Sequence, residues 1–291
     1  MDMTLFRQQG GVASVAALRA RGTTDHQIRW AVDRGVLARV RHGWLQTPDA
    51  NRAVVEAVAA GGRLGCVSAA ETHGLWVPEV HGLHVTLPRH AGRHASSNVI
   101  AHWEGTRWRD LRSPVEPVPS MIRQIVSCCD RETTLCVIDS ALHRRKLSLA
   151  QLQRILTSLP LQYHHLAREV DGKAESGYES MCRFRLSRLG IPIRSQVSIP
   201  GIGYVDLLLG DRLIVEADGW EWHNGPDAFL VDRSRDLAAV RQDYLPLRLA
   251  PHHILYEWPW VERVVMSIVE RGDHVWNETQ LRRRRDHGFG G

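Results

Sequence analysis

The chain has 291 residues, 43% hydrophobic and 24% charged, which suits two domains of roughly 100–150 residues and excludes disordered, collagen-like and low-complexity classes. No stretch approaches the roughly 18 uninterrupted apolar residues of a membrane span and Met1–Gly10 has no apolar secretion core, so a cytoplasmic address without a membrane partner is expected. The formal charge of +5 divides into about +7 over residues 1–170 and about −2 over 171–291, a basic half suited to phosphate and an acidic half suited to gathering a divalent cation, although ordinary surface charge gives the same totals.

Near the N-terminus, Ser14 is placed to cap a helix carrying Val15, Ala17 and Leu18 that stops at Gly22. Thr24 and Gln27 form a capping box for a second helix through Arg34, with Ile28, Ala31 and Val32 inward and His26, Arg29 and Asp33 outward. Leu37–Leu45 then alternates and breaks at His42-Gly43, as the wing of a winged helix does. The stretch GTTDHQIRWAVDRGVLARVRHGWL, residues 22–45, resembles the N-terminal winged-helix domain of AbiEi-type antitoxins. If the second helix is a recognition helix, DNA is the partner, with Arg29 and Arg34 on the helix and Arg39 and Arg41 on the wing at phosphates or base edges. The resemblance also implies a cognate toxin as a protein partner, and a protein-contact module is the other use of such a domain.

Residues 51–170 read as an α/β and helical middle region. Ala53–Ala60 and Ser68–Gly74 are helical, His84–Leu87 and Val99–His102 are strands, and Ser120–Leu159 is a helical run with Ile122, Ile125, Val126, Leu135, Val137 and Ile138 as core candidates. SAAETHGLW, residues 68–76, also occurs in the antitoxin-like family. His81, His84, His90, His94 and His102 are irregularly spaced without carboxylate partners, and the five cysteines show no paired CxxC spacing. Core or solvated histidines and reduced thiols are therefore expected, not a metal site or a disulfide framework. Pro160–Gly172 is polar, placing a domain boundary near residue 170.

The second half opens with Ser176 and Glu179 as a capping box for a helix to Leu189. Gly203–Leu209 and Arg212–Gly219 form a hairpin in which Asp206, Glu216 and Asp218 stand among Val, Leu and Ile. Ionised carboxylates there cost several kcal/mol unless neutralised, and a divalent metal is the economical neutraliser. Asp206 shares a face with Glu216 and Asp218 only if the turn has an odd number of residues, such as Gly210-Asp211-Arg212. A helix from Pro226 to about Asp243 follows, with Phe229, Leu230, Leu237 and Val240 as its apolar side, then a strand at Leu245–Leu249 and a helix near Trp260–Glu270.

The ordered set Glu179, Asp206, Glu216-Ala217-Asp218-Gly219, His223, Asp232 and Arg235 resembles the Vsr-like branch of the PD-(D/E)xK endonucleases, over about residues 174–257. That resemblance implies phosphodiester hydrolysis in phage or plasmid defence or in DNA repair. Asp206 and Glu216 would hold Mg²⁺, with Mn²⁺ as the alternative; Glu179, Asp218 and His223 would complete the catalytic set, and Asp232 and Arg235 would support it. The wider superfamily carries lysine two residues after the second carboxylate, where this chain has Asp218, and no lysine follows Lys173. Two rivals stand beside the DNA endonuclease: an antitoxin-like repressor whose nuclease fold is inert, and an RNA-directed nuclease. The expected fold class is α/β in the α+β sense: a winged helix over 1–50, the middle region over 51–170, a restriction-endonuclease-like mixed sheet flanked by helices over 171–270, and a basic flexible tail over 271–291, with Arg282–Arg285 as a disordered arm.

Overall fold

The computed structural model describes residues 3–79, 82–88, 98–104, 113–217 and 226–289. Its class is mixed α+β, and the chain divides into two compact units, Met1–Glu169 and Val170–Gly291.

The first unit begins with helix α1 (Thr4–Gln8), strand β1 (Val12–Ser14), helices α2 (Val15–Ala20) and α3 (Asp25–Asp33), and strands β2 (Ala38–Arg41) and β3 (Trp44–Gln46). The three strands form an antiparallel sheet of order β1-β3-β2, the order that the winged-helix expectation requires. Local chemistry sets the helix starts. Ser14 Oγ accepts from Ala17 N–H, and Thr24 and Gln27 exchange both bonds of a capping box. Leu5, Phe6, Leu18, Ile28, Ala31, Leu37 and Leu45 close one core beneath them. β1 and α1 have no periodic signal in the sequence; they are held by this core.

The same unit continues with α4 (Arg52–Ala59), β4 (Arg63–Leu64), α5 (Cys66–Thr72), β5 (Leu83–Pro88), β6 (Val99–Glu104), α6 (Val118–Cys128), α7 (Arg131–His143), α8 (Leu149–Thr157) and a 3₁₀ helix at Leu161–Arg168. β4 pairs antiparallel with β5, and β5 pairs parallel with β6. The helical run is three helices, because Asp130 caps α7 and Ser148 with Gln151 starts α8. All six predicted core residues of the run are buried.

The second unit contains α9 (Gly177–Ser187), β7 (Ile193–Ile199), β8 (Gly203–Leu209), β9 (Leu213–Ala217), α10 (Pro226–Arg241), β10 (Leu245–Leu249), α11 (Pro251–Tyr256), α12 (Trp258–Glu270) and α13 (Glu278–Asp286). Its mixed sheet has the order β10-β9-β8-β7, with β10 parallel to β9 and the other pairs antiparallel. Ile199, Val205, Leu208, Ile214 and Ala239 form the core on the α10 side.

Two expectations are corrected here. Of the apolar side predicted for α10, Leu230, Leu237 and Val240 are exposed, whereas Ala239 and Gln242 are buried; the side chain of Phe229 lies outside the described residues. The inward stripe carries polar groups because Arg235 donates to the Ile202 carbonyl at 3.1 Å and Gln242 to the Pro200 carbonyl at 2.8 Å. The basic tail is not a disordered arm. Asn277 and Gln280 form the capping box of α13, and the Arg284 guanidinium lies 4.2 Å from the Trp276 ring centre and 4.8 Å from that of Tyr244. Arg283 also pairs with Asp243 at 3.2 Å. Cation–π contact and caps order a segment whose composition alone reads as solvated.

Candidate functional site

β8 and β9 are joined by the three residues Gly210-Asp211-Arg212, and their register runs Leu209↔Leu213, Leu208↔Ile214, Leu207↔Val215. One step further, this odd loop sets Asp206 opposite Glu216. The loop is clamped: Asp211 and Arg212 N–H both donate to the His274 carbonyl at 3.0 Å, and the Arg212 side chain donates to the Asp243 and Asp273 carbonyls at 2.6 and 2.7 Å.

At the carboxylate pair the strands bond to side chains. Asp206 N–H donates to Glu216 Oε2 at 3.3 Å, and Ala217 N–H donates to Asp206 Oδ2 at 2.8 Å. Asp206 and Glu216 are thereby held on facing strands, the Glu216 oxygen turned toward the backbone of Asp206 and the Asp206 oxygen toward that of Ala217. Glu216 is 8% exposed, and burial pushes its carboxyl above the ordinary range against the opposing pull of Arg235, then the Asp206 N–H, then Arg248. Arg235 Nη2 lies 3.4 Å from Glu216 Oε1 and also donates to the Tyr204 carbonyl.

Glu179 enters from the first turn of α9. Ser176 Oγ accepts from Glu179 N–H at 3.1 Å, as a cap should, but the Glu179 carboxylate accepts from Glu175 N–H at 3.0 Å and turns to Gln196, at 2.9 Å, instead of closing a capping box. Burial first, and the charge of Asp206 second, push its carboxyl upward.

Gln196 is the residue sequence reasoning missed. Its register position on β7 is opposite Asp206, its φ is +51°, and its Nε2 reaches both Glu179 and, at 3.4 Å, Asp206 Oδ1. A left-handed, non-glycine residue inside a strand costs about 1–2 kcal/mol, and here the distortion carries an amide between two carboxylates. Arg248 was missed as well: it stands beside Glu216 in the β10–β9 register and pairs with Asp236 at 2.9 Å. An alternating strand Leu-Pro-Leu-Arg-Leu gives no hint of that pairing.

Asp206 and Glu216 offer hard oxygen donors of the kind that hold Mg²⁺ or Mn²⁺. Glu179 is linked to Asp206 through Gln196 and, among the described residues, does not join the pair in one tight ligand set. Asp218 and His223 lie outside the described residues, and so does the side chain of Asp232 on α10.

In the first unit, Arg29 is exposed on α3, and Arg34, its C-cap residue, is exposed with its guanidinium 5.7 Å from the exposed Trp30 ring. Arg39 and Arg41 are exposed on β2. A bulge lies between them, since Arg39 pairs with Leu45 and Arg41 with Trp44, and Arg41 turns toward the Val58 carbonyl at 3.5 Å. α3 and β2 therefore both present exposed cations, with Arg41 drawn toward α4.

Residues 3–45 match an antitoxin-type regulator family. The family is described as "Transcriptional regulator, AbiEi antitoxin", and the match takes in α3 and the wing with all four arginines. Two strain versions of an uncharacterized protein of Mycobacterium tuberculosis (CDC 1551 / Oshkosh and H37Rv) are each 25% identical over 229 residues, covering 73% of this chain and 84% of theirs. The antitoxin-type match supports a DNA-binding regulator. No helix among the described residues is long and apolar enough to cross a membrane.

Proposed function

We propose that the chain is a DNA-binding protein in which an antitoxin-type winged helix delivers a metal-dependent endonuclease-like unit to phosphodiester bonds. The observation that carries the second half is the odd hairpin register, which brings Asp206 and Glu216 face to face on adjacent buried strands. Arg29, Arg34, Arg39 and Arg41 would bind phosphates and orient the duplex. Asp206 and Glu216 would hold Mg²⁺ or Mn²⁺, and Gln196 would keep Glu179 aimed at the same place, with a carboxyl whose pKa burial and the charge of Asp206 raise above the ordinary range. A divalent cation supplies the positive charge that polarises a phosphate. The acidic set and its resemblance to Vsr-like nucleases favour hydrolysis; a toxin partner and a role in defence or repair are the biological settings that go with it.

The rival, a repressor whose nuclease fold is inert, draws support from Arg235, which already sits 3.4 Å from Glu216. Nicking of supercoiled plasmid by the purified full chain separates the two. Cleavage is expected with Mg²⁺ or Mn²⁺, absent in EDTA, and lost in Glu216→Gln and Asp206→Asn while DNA binding persists. Wild-type binding without cleavage in either metal would leave the repressor reading.

A further inference from the structure

We propose a second, separate metal site in the first unit, a zinc centre with Cys66, His84, His102 and Cys128 as its four ligands. The residues come from four elements. Cys66 is the first residue of α5, His84 lies on β5, His102 on β6, and Cys128 is the last residue of α6. Their ligand atoms all lie within 4.8 Å of one another. His84 Nδ1 is 3.0 Å from His102 Nε2, and Cys128 Sγ is 3.9 Å from His84 Nδ1. Bonds of about 2.3 Å to sulfur and 2.0–2.1 Å to nitrogen in a tetrahedron require donor separations of roughly 3.3–3.8 Å, so the cluster is close to ligating geometry.

The fold explains why residues so far apart in sequence converge. In the parallel β5–β6 register His84 pairs with Ile100 and Thr86 with His102, so the two histidines share a face as diagonal neighbours. α5 is held against that face by a network. Cys66 N–H donates to Gln124 Oε1 at 2.8 Å, Gln124 Nε2 donates to Thr86 Oγ1 at 2.8 Å, and His84 N–H donates to Ser68 Oγ at 3.0 Å. Gly65 permits the approach, since a Cβ there would stand 2.3 Å from Thr86 Oγ1. Cys66 itself has φ +47°, a strained backbone for a residue with a side chain, and that conformation accompanies the thiol's approach to the cluster.

The donor set selects the metal. Two sulfurs and two imidazole nitrogens suit a borderline-soft tetrahedral ion, and four protein ligands make a closed, structural centre that ties β5 and β6 to α5 and α6. Cys66 and His84 are buried and Cys128 is exposed, which leaves the metal a route in from the surface. Cys129, whose Sγ is 3.8 Å from Cys66 Sγ, is the adjacent thiol and the natural disulfide partner if the site is oxidised.

The test is metal analysis of the full chain purified under reducing, anaerobic conditions, after exposure to zinc chloride and removal of loose ions. About one zinc per chain is expected, as is its replacement by cobalt(II) with the visible bands of a tetrahedral centre and a thiolate-to-cobalt charge-transfer band. Cys128→Ser, at an exposed position, should stay folded by circular dichroism yet lose the bound metal and the bands, whereas Cys129→Ser should keep both. Wild-type protein that is reduced and folded but takes up neither ion would overturn the proposal. So would full zinc occupancy in Cys128→Ser, or a Cys66–Cys129 disulfide in protein kept under reducing conditions.

Discussion

Glu179→Gln replaces a carboxylate only 5% exposed by a neutral group of the same shape. In the wild type, Gln196 Nε2 donates to Glu179 Oε2 at 2.9 Å and to Asp206 Oδ1 at 3.4 Å. The two oxygens are thus no more than about 6 Å apart, where full charges repel by roughly 2–3 kcal/mol at an effective dielectric of about 20. Bonds from Glu175 N–H and Gln196 offset part of this, and a glutamine oxygen can accept both. A net gain of about 1–2 kcal/mol at pH 8 is expected for the metal-free variant, or about 3–6 °C in Tm. The pH dependence follows from the raised carboxyl of Glu179. The folded state holds that proton more tightly than the unfolded chain, so this group's contribution is complete below the unfolded carboxylate range and is lost as pH rises through the folded pKa. The variant lacks the proton, and its advantage should be smallest at or below the unfolded carboxylate range and grow as pH rises through the raised folded pKa. Thermal and urea unfolding in EDTA across that rise in pH measure it. A variant less stable than wild type at the alkaline end, or an advantage independent of pH, would refute the repulsion between Glu179 and Asp206.

Removing Arg235 as Arg235→Ala takes the guanidinium from Glu216; because that side chain is 31% exposed, the loss should be about 1–2 kcal/mol after solvent screening. It should be larger at pH 8 than at pH 5, since Glu216, its carboxyl raised further, is relieved by taking up a proton; equal losses in urea unfolding would assign the effect to the carbonyl bonds alone. Glu116→Ala strands Arg63, now paired at 2.7 Å with side chains 10% and 1% exposed, and should cost about 3–5 kcal/mol, much of it recovered when Arg63→Met is added. Arg29→Ala and Arg39→Ala should each lower the salt dependence of DNA binding by about one unit of slope, measured by fluorescence anisotropy, and unchanged slopes would move the DNA interface off the winged helix.

Local signals carried much of the architecture. Ser14, and Thr24 with Gln27, start helices through contacts three residues apart, whereas the Ser148–Gln151 start that divides the helical run went unread; the sequence posed an odd loop as the condition for uniting Asp206 with Glu216, and the register meets it. What escaped depends on partners distant in sequence. Gln196 reads as one more polar residue in a strand until β8 brings Asp206 opposite it. His84 and His102 look unrelated until a parallel pairing sets them on one face, and α6 then returns Cys128 to them. Leu230, Leu237 and Val240 mark an apolar side by periodicity, yet Arg235 and Gln242 turn the helix the other way by bonding to carbonyls of the sheet segment. The arginines of the tail signal solvation only while Tyr244 and Trp276 are out of view.

The clamped Gly210–Arg212 loop makes parity, not identity, the heritable property of this hairpin. A Cβ at Gly210 would stand 2.6 Å from the His274 carbonyl, and the loop's N–H groups already engage that oxygen, so its length is fixed from outside the hairpin. Deleting or inserting one residue there would slip β9 by one position and turn Glu216 to the opposite face of the sheet, silencing the pair with every acidic residue still in place. Among descendants of this chain, those that retain a working Asp206–Glu216 pair should change this loop two residues at a time or leave it alone. A single-residue indel in an alignment would then mark a lineage in which the carboxylates have been released from whatever work they do together.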